Sequence, residues 1–190
     1  MKRICVFAGS SMGRSPKYKE GAVQLGQALL EAGLEMVYGG SSNGLMGVVA
    51  DTVLQGNGTV IGVMPSGLFC KESAHQGVTQ FYQVEGMHER KAKMYELSDG
   101  FVALPGGYGT FEEIFEAVCW GYIGIHQHPV GLLNIDGYYQ PLIELVQHAK
   151  TEGYIPEIYA DLLILDEDPY RLIERMIQYK PPSAPIKWRK

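Results

Sequence analysis

The chain has 190 residues, 46% of them hydrophobic and 19% charged, with a formal net charge of -5. That length fits one domain with a real core, and the composition is that of an ordinary globular protein. The acidic balance, with no Lys/Arg run longer than two, excludes a basic nucleic-acid-gripping surface, and no stretch approaches the roughly 18 apolar residues of a membrane span.

In chain order, ICVFA (4–8) is the first predicted strand, and a helix over 16–32 starts at a proline and ends before Gly33. EMVYG (35–39) is the second strand, followed by a helix over 45–55 that ends before Gly56. TVIGVM (59–64) and FYQVE (81–85) are the next strands, separated by the irregular segment 65–79. A helix over 87–97, the strand GFVAL (100–104), a helix over 110–121 and the strand PVGLL (129–133) come next. A helix over 139–152, the strand LLIL (162–165) and a helix over 168–179 complete the set, and a Pro-rich tail runs from Lys180. Short apolar strands alternating with amphipathic helices predict an α/β fold: a Rossmann-like, doubly wound parallel sheet of about seven strands, covered by helices on both faces. Crossovers should be right-handed. One catalytic domain is expected over residues 1–179, with 180–190 as a tail.

The cysteines, Cys5, Cys70 and Cys119, are odd in number and widely spaced, which predicts buried free thiols in a reducing compartment. The five apolar residues before Gly9 are too few for a secretory signal, so a cytoplasmic location is expected. Neither CxxC nor HExxH occurs, and the five histidines show no ligand spacing, so no metal is expected.

Three glycine-rich turns follow predicted strands: FAGSSMG (7–13), VYGGSSNGLMG (37–47) and ALPGGYGTFEE (103–113). Glycine lets backbone N–H groups converge on an anion where a Cβ would intrude, and a helix starting after the loop adds the positive end of its dipole. Ligands of open α/β sheets bind at the carboxyl ends of the strands. Three such turns therefore point to a small ligand that carries phosphate. The spacing matches neither G-x-G-x-x-G in the first turn nor GxxxxGK[ST] anywhere, which argues against an ordinary dinucleotide site and a Walker ATPase.

Glu112 and Glu113 directly follow the third turn. Helical spacing predicts a core face of Phe111, Ile114, Phe115 and Val118, with Glu113, Glu116 and Trp120 on the other side, toward a pocket or a subunit interface. In GMHERKAKMYEL (86–97), Arg90 shares a side with Met87, Met94 and Leu97, where a guanidinium needs a partner or an anionic ligand. A cation, a carboxylate and a phosphate cradle suit cleavage of a glycosidic bond, in which a carboxylate stabilises the ribose oxocarbenium or activates water. Isomerisation and phosphosugar binding could use similar parts.

MHERK (87–91) and PGGYGTFEE (105–113), with VFAGSS, VYGGSSNGLMG, GVMPSGL and CWGYIGIHQHPVGLLNIDGYY, resemble the LOG family of cytokinin riboside 5′-monophosphate phosphoribohydrolases. The resemblance implies a hydrolase that splits an adenosine 5′-monophosphate, often N6-prenylated, into free base and ribose 5-phosphate, without a cofactor and as a homodimer. It places catalysis on Arg90 and Glu113. Substrate contacts fall on Lys91, on the run Gly107, Tyr108, Gly109, Thr110, Phe111 and Glu112, and on Glu72. Cys119 stands where the family has a threonine contact, a departure that bears on base or ribose recognition. Ser10 and Gly40 in the first two turns, and Met87, complete the expected substrate-binding set. The alternatives are an AMP or purine-monophosphate nucleosidase in salvage and a non-catalytic nucleotide or cofactor carrier. Lysine decarboxylase, an older label on such sequences, calls for a pyridoxal phosphate lysine that nothing here marks.

Overall fold

A computed structural model describes residues 1–68 and 74–183. Seven strands lie in one sheet: β1 Arg3–Phe7, β2 Glu35–Tyr38, β3 Val60–Pro65, β4 Gln80–Val84, β5 Gly100–Ala103, β6 Val130–Leu133 and β7 Leu163–Asp166. The helices are α1 Pro16–Glu31, α2 Gly44–Gln55, α3 Met87–Glu96, α4 Tyr108–Ile123, α5 Gln140–Thr151 and α6 Pro169–Ile177. Every strand pairing is parallel, in the order β4-β3-β2-β1-β5-β6-β7. The order reverses between β1 and β5, so the loops leaving these two strands diverge and open a crevice at the carboxyl edge.

Alternation along the strands builds two cores. Ile4 and Val6 of β1 face α1, α2 and α6, where Leu25, Leu29, Val49, Val53, Leu172 and Ile173 are buried. Cys5 and Phe7 face the other layer, with Met94 of α3 and Ile114 and Ala117 of α4. Helix α1 starts as predicted, with Pro16 in its first turn and Ser15 Oγ accepting from Lys17 N–H at 3.3 Å.

Three expectations are corrected. Strand β4 closes one edge of the sheet, and Gln80, Phe81 and Gln83 are exposed, so it is not covered on both faces. On α4, Ile114 is buried and Phe111 and Val118 pack against the core as expected, but Phe115 is 42% exposed, Thr110 and Ala117 complete the buried stripe, and Glu113, expected on the opposite side, keeps only 13% of its side chain in solvent. The aromatic residue misled the periodicity because it belongs to a separate apolar surface. Of the cysteines, Cys5 is buried, Cys119 is exposed, and Cys70 lies outside the described residues.

Candidate active site

The three glycine turns meet at the β1/β5 crevice, backbone against backbone. Gly9 N–H donates to the Pro105 carbonyl at 3.1 Å, and Leu45 N–H to the Gly9 carbonyl at 3.0 Å. A Cβ on Gly44 would stand 2.3 Å from the Ser10 carbonyl carbon, and one on Gly106 2.1 Å from Thr110 Oγ1. These two glycines therefore permit the close approach. Gly107 and Gly109 differ: nothing lies within 4 Å of a Cβ there, because both face open space.

Helix α4 begins on this open side. Its N-cap, Gly107, supplies no side-chain cap, and its first turn carries no acid. The first amides of an α-helix have no intrahelical acceptor, so this end is a positive site without an internal anion. It borders a cleft of about 220 Å³ lined by Ala8, Gly9, Ser10, Met46, Arg90, Gly107, Tyr108, Gly109, Thr110 and Glu113.

Arg90 enters this cleft from α3 as a buried side chain, 8% exposed. Its Nε donates to the Val63 carbonyl at 3.2 Å, and Nη1 stands 3.7 Å from Glu113 Oε1. A Cβ on Gly39 would lie 1.9 Å from Arg90 Nη2, so the guanidinium occupies the space that a side chain at the end of β2 would fill. Glu113 gains no closer neutralising contact. Burial pushes its acid up to about 7, against the downward pull of Arg90. A carboxylate that titrates near neutrality, beside a fixed guanidinium, is suited to proton transfer and to stabilising a developing cation.

Lys91 points elsewhere: its Nζ sits between Glu112 and Glu116, 3.0 Å from Glu116 Oε1 and also hydrogen-bonded to Glu112. Tyr95 extends this clamp, its ring 4.4 Å from that of Trp120 and its hydroxyl donating to the Glu113 carbonyl at 3.4 Å. Trp120 and Glu116 thus face α3 of the same chain, on the side where their spacing had left a pocket or a subunit interface open.

Comparison with known proteins decides the family. A family model described as "Possible lysine decarboxylase" matches residues 46–176. Cytokinin riboside 5′-monophosphate phosphoribohydrolase LOG of Oryza sativa subsp. japonica is 45% identical over 180 residues, covering 95% of this chain and 74% of its own length. Its counterpart LOG7 of Arabidopsis thaliana is 44% identical, over 95% of this chain and 83% of its own length. The chain belongs to the LOG family. Among solved structures, a molybdenum cofactor binding protein of Rippkaea orientalis superposes with a TM-score of 0.69 at 23% identity, over 94% of this chain and 97% of its own. The molybdenum cofactor carrier protein of Chlamydomonas reinhardtii gives 0.69 at 20% identity, over 93% and 96%. Such distant likenesses bear on the fold alone.

For a LOG-family chain, the residues singled out from sequence divide clearly. Ser10, Arg90, Gly107, Tyr108, Gly109, Thr110 and Glu113 share one cleft. Lys91 and Glu112 sit beside it, engaged with each other, and Phe111 packs into the core. Gly40 accepts from His75 N–H at 2.9 Å behind the second turn, and Met87 is 47% exposed at the start of α3. Cys119 does not line the cleft; it lines a separate apolar cavity of about 230 Å³ between α4, α5 and the 159–163 segment. Glu72 lies outside the described residues. Sequence reasoning missed Ala8, Gly9 and Met46 as lining residues and Gly39 as the residue that makes room for Arg90. The Gly39–Gly40 doublet was the available signal, but nothing in it says which glycine faces a side chain.

Proposed function

We propose that the cleft hydrolyses the N-glycosidic bond of a nucleoside 5′-monophosphate, an N6-modified adenosine 5′-monophosphate of the cytokinin riboside type. The observation that carries this reading is a nearly buried carboxylate, Glu113, opposite Arg90 and one turn inside the open N-terminus of α4. The names of relatives at 44–45% identity support the same substrate class. In this reading the 5′-phosphate rests on the first amides of α4 and fixes the sugar. The bond from the anomeric carbon to the base nitrogen breaks with its electron pair moving to the base. Ionised Glu113 stabilises the sugar cation and takes a proton from the attacking water, while Arg90 donates a hydrogen bond to negative charge as it develops. One water is consumed: its hydroxyl joins the anomeric carbon, its proton passes by way of Glu113 to the departing base, and free base and ribose 5-phosphate leave.

The proposal extends to assembly and place. A homodimer would cover the apolar surface on which Phe115 is 42% and Tyr154 82% exposed, and sedimentation of the purified chain tests it. No helix among the described residues is long and apolar enough to cross a membrane, in keeping with action in the cytoplasm on a soluble nucleotide. Residues 1–179 would act as one catalytic domain.

The deciding assay offers the protein AMP and, separately, N6-isopentenyl-AMP, and follows free base and ribose 5-phosphate. Much faster release from the prenylated nucleotide is the expected result. Equal release would make the protein a general AMP nucleosidase. Binding of both nucleotides without release would leave a carrier and defeat the proposal.

A further inference from the structure

The IDGYY segment (135–139), part of the resemblance to the family, has no role in the account so far. It lies after β6 and reaches behind the third glycine turn. There Tyr139 Oη donates to the Leu104 carbonyl at 2.5 Å, and Tyr138 Oη donates to the Gly106 carbonyl. The intervening Pro105 carbonyl accepts from Gly9 N–H. Three successive carbonyls of the turn are therefore held from outside it.

This matters because of peptide geometry. The C=O and N–H of a trans peptide point in opposite directions, and the chain contains no cis peptide bond among its described residues. Holding the Gly106 carbonyl toward Tyr138 sends the Gly107 N–H the other way, and Gly107 lines the cleft. The peptide between Gly106 and Gly107 has glycine on both sides, so it meets less steric resistance to flipping than any other in the turn. A flip would present a carbonyl oxygen where the anion must sit. The tyrosine hydroxyl bonds to this peptide.

The brace is itself fixed. Asn134 Oδ1 accepts from Tyr139 N–H at 2.7 Å, and Asn134 N–H donates to the Asp166 carbonyl at 2.8 Å. Asp136 and Gly137 turn the chain through the left-handed region, at φ 55° and 74°. Asp136 then pairs with Lys17 in the first turn of α1, and the Tyr18 ring meets Tyr138 edge-on at 5.9 Å. Gly21 of α1 leaves the room that Ile135 fills: a Cβ there would stand 2.4 Å from Ile135 Cδ1. The same short segment thus ties together the element after the first glycine turn and the third turn itself. Burial raises both phenols above their ordinary acid range, so they remain donors throughout the working range of pH.

We infer that Tyr138, seconded by Tyr139, is a positioning residue that keeps the Gly106–Gly107 peptide oriented so that its N–H, not its C=O, faces the phosphate of the substrate. The inference rests on the reading of the cleft as a nucleoside monophosphate site. Its test is Tyr138→Phe, which removes one oxygen from a part-exposed ring and leaves the packing. Affinity for ribose 5-phosphate, measured by calorimetry, should fall about tenfold, and KM for AMP should rise by the same factor with kcat within about twofold, the pattern of a lost uniform binding interaction. Inhibition by adenosine, which has no phosphate, should change less than about twofold. A role in stability alone would lower the melting temperature without separating the two ligands. Tyr139→Phe should show the same separation, smaller, and serves if the first variant does not fold.

Unchanged ribose 5-phosphate affinity in a folded Tyr138→Phe protein would overturn the inference. So would equal weakening of ribose 5-phosphate and adenosine. Failure of the wild-type protein to bind ribose 5-phosphate would overturn both the inference and the phosphate reading beneath it. If the wild type binds ribose 5-phosphate but releases no base, the proposed reaction fails, and the comparison of the two ligands still decides the role of Tyr138.

Discussion

Two carboxylates near the carboxyl edge of the sheet stand beside arginines and have opposite characters. Asp166, at the end of β7, accepts from Arg171 Nε and Nη2 at 2.7 Å each, from Arg175 Nη1 at 3.0 Å and from Asp168 N–H at 3.0 Å. These donors hold its acid far below the ordinary range, Arg171 contributing most. Glu113 is similarly hidden, yet its arginine stops 3.7 Å away and burial pushes its acid up to about 7. A carboxylate whose lone pairs are satisfied contributes to stability; one left short of donors in a cleft retains the capacity to accept a proton or face a cation. In the proposed reading, the difference leaves Asp166 a structural role and gives Glu113 the chemical one.

The largest way to break this comparison is to remove the distant arginine. Arg90→Ala should lower kcat/KM for the nucleotide by about a thousandfold while leaving the fold intact, as steady-state kinetics and circular dichroism would show. Next is stability. Glu113 binds its proton more tightly folded than unfolded, so it costs stability as pH rises from about 4.5 through about 7. Glu113→Gln should therefore be more stable than wild type at pH 8, by up to about 3 kcal/mol, and the gain should vanish near pH 4. Asp166→Asn should act in the opposite direction, destabilising by about 2 kcal/mol near neutrality. The Asp166 contribution is fully present above the unfolded carboxylate value and fades as pH falls below it, so denaturant curves at several pH values separate the two residues. The smallest effect expected is on geometry: Gly39→Ala, whose Cβ would collide with Arg90 Nη2, should lower kcat/KM about tenfold by displacing the guanidinium, with little change in melting temperature.

Much of this was legible in the sequence, for physical reasons that differ by element. The seven strands and six α-helices were found within two residues, because apolar runs and proline or glycine punctuation are local signals, whereas the short 3₁₀ turns such as Ile135–Gly137 were not. Helix α4 is the instructive case. It starts at Tyr108, ahead of the predicted residue 110, since Gly107 makes a poor start signal, and Phe115 drew the predicted core stripe away from Glu113. Periodicity registers that a side chain is apolar but not which apolar surface covers it. The cleft was located by its glycine turns, whereas the sheet order that joins them at β1 and β5 is non-local. Two features could not be read from spacing at all: the hold of Tyr138 and Tyr139 on carbonyls more than 30 residues away, and the engagement of Lys91 by Glu112 and Glu116.

The most direct test of the central claim compares wild type with Glu113→Gln in one experiment: release of ribose 5-phosphate from N6-isopentenyl-AMP, with nucleotide binding measured on the same samples. The account predicts that the variant binds the nucleotide within about threefold of wild type and turns it over at least about a thousandfold more slowly. Release at the wild-type rate would show that the buried carboxylate is not the group that carries the reaction.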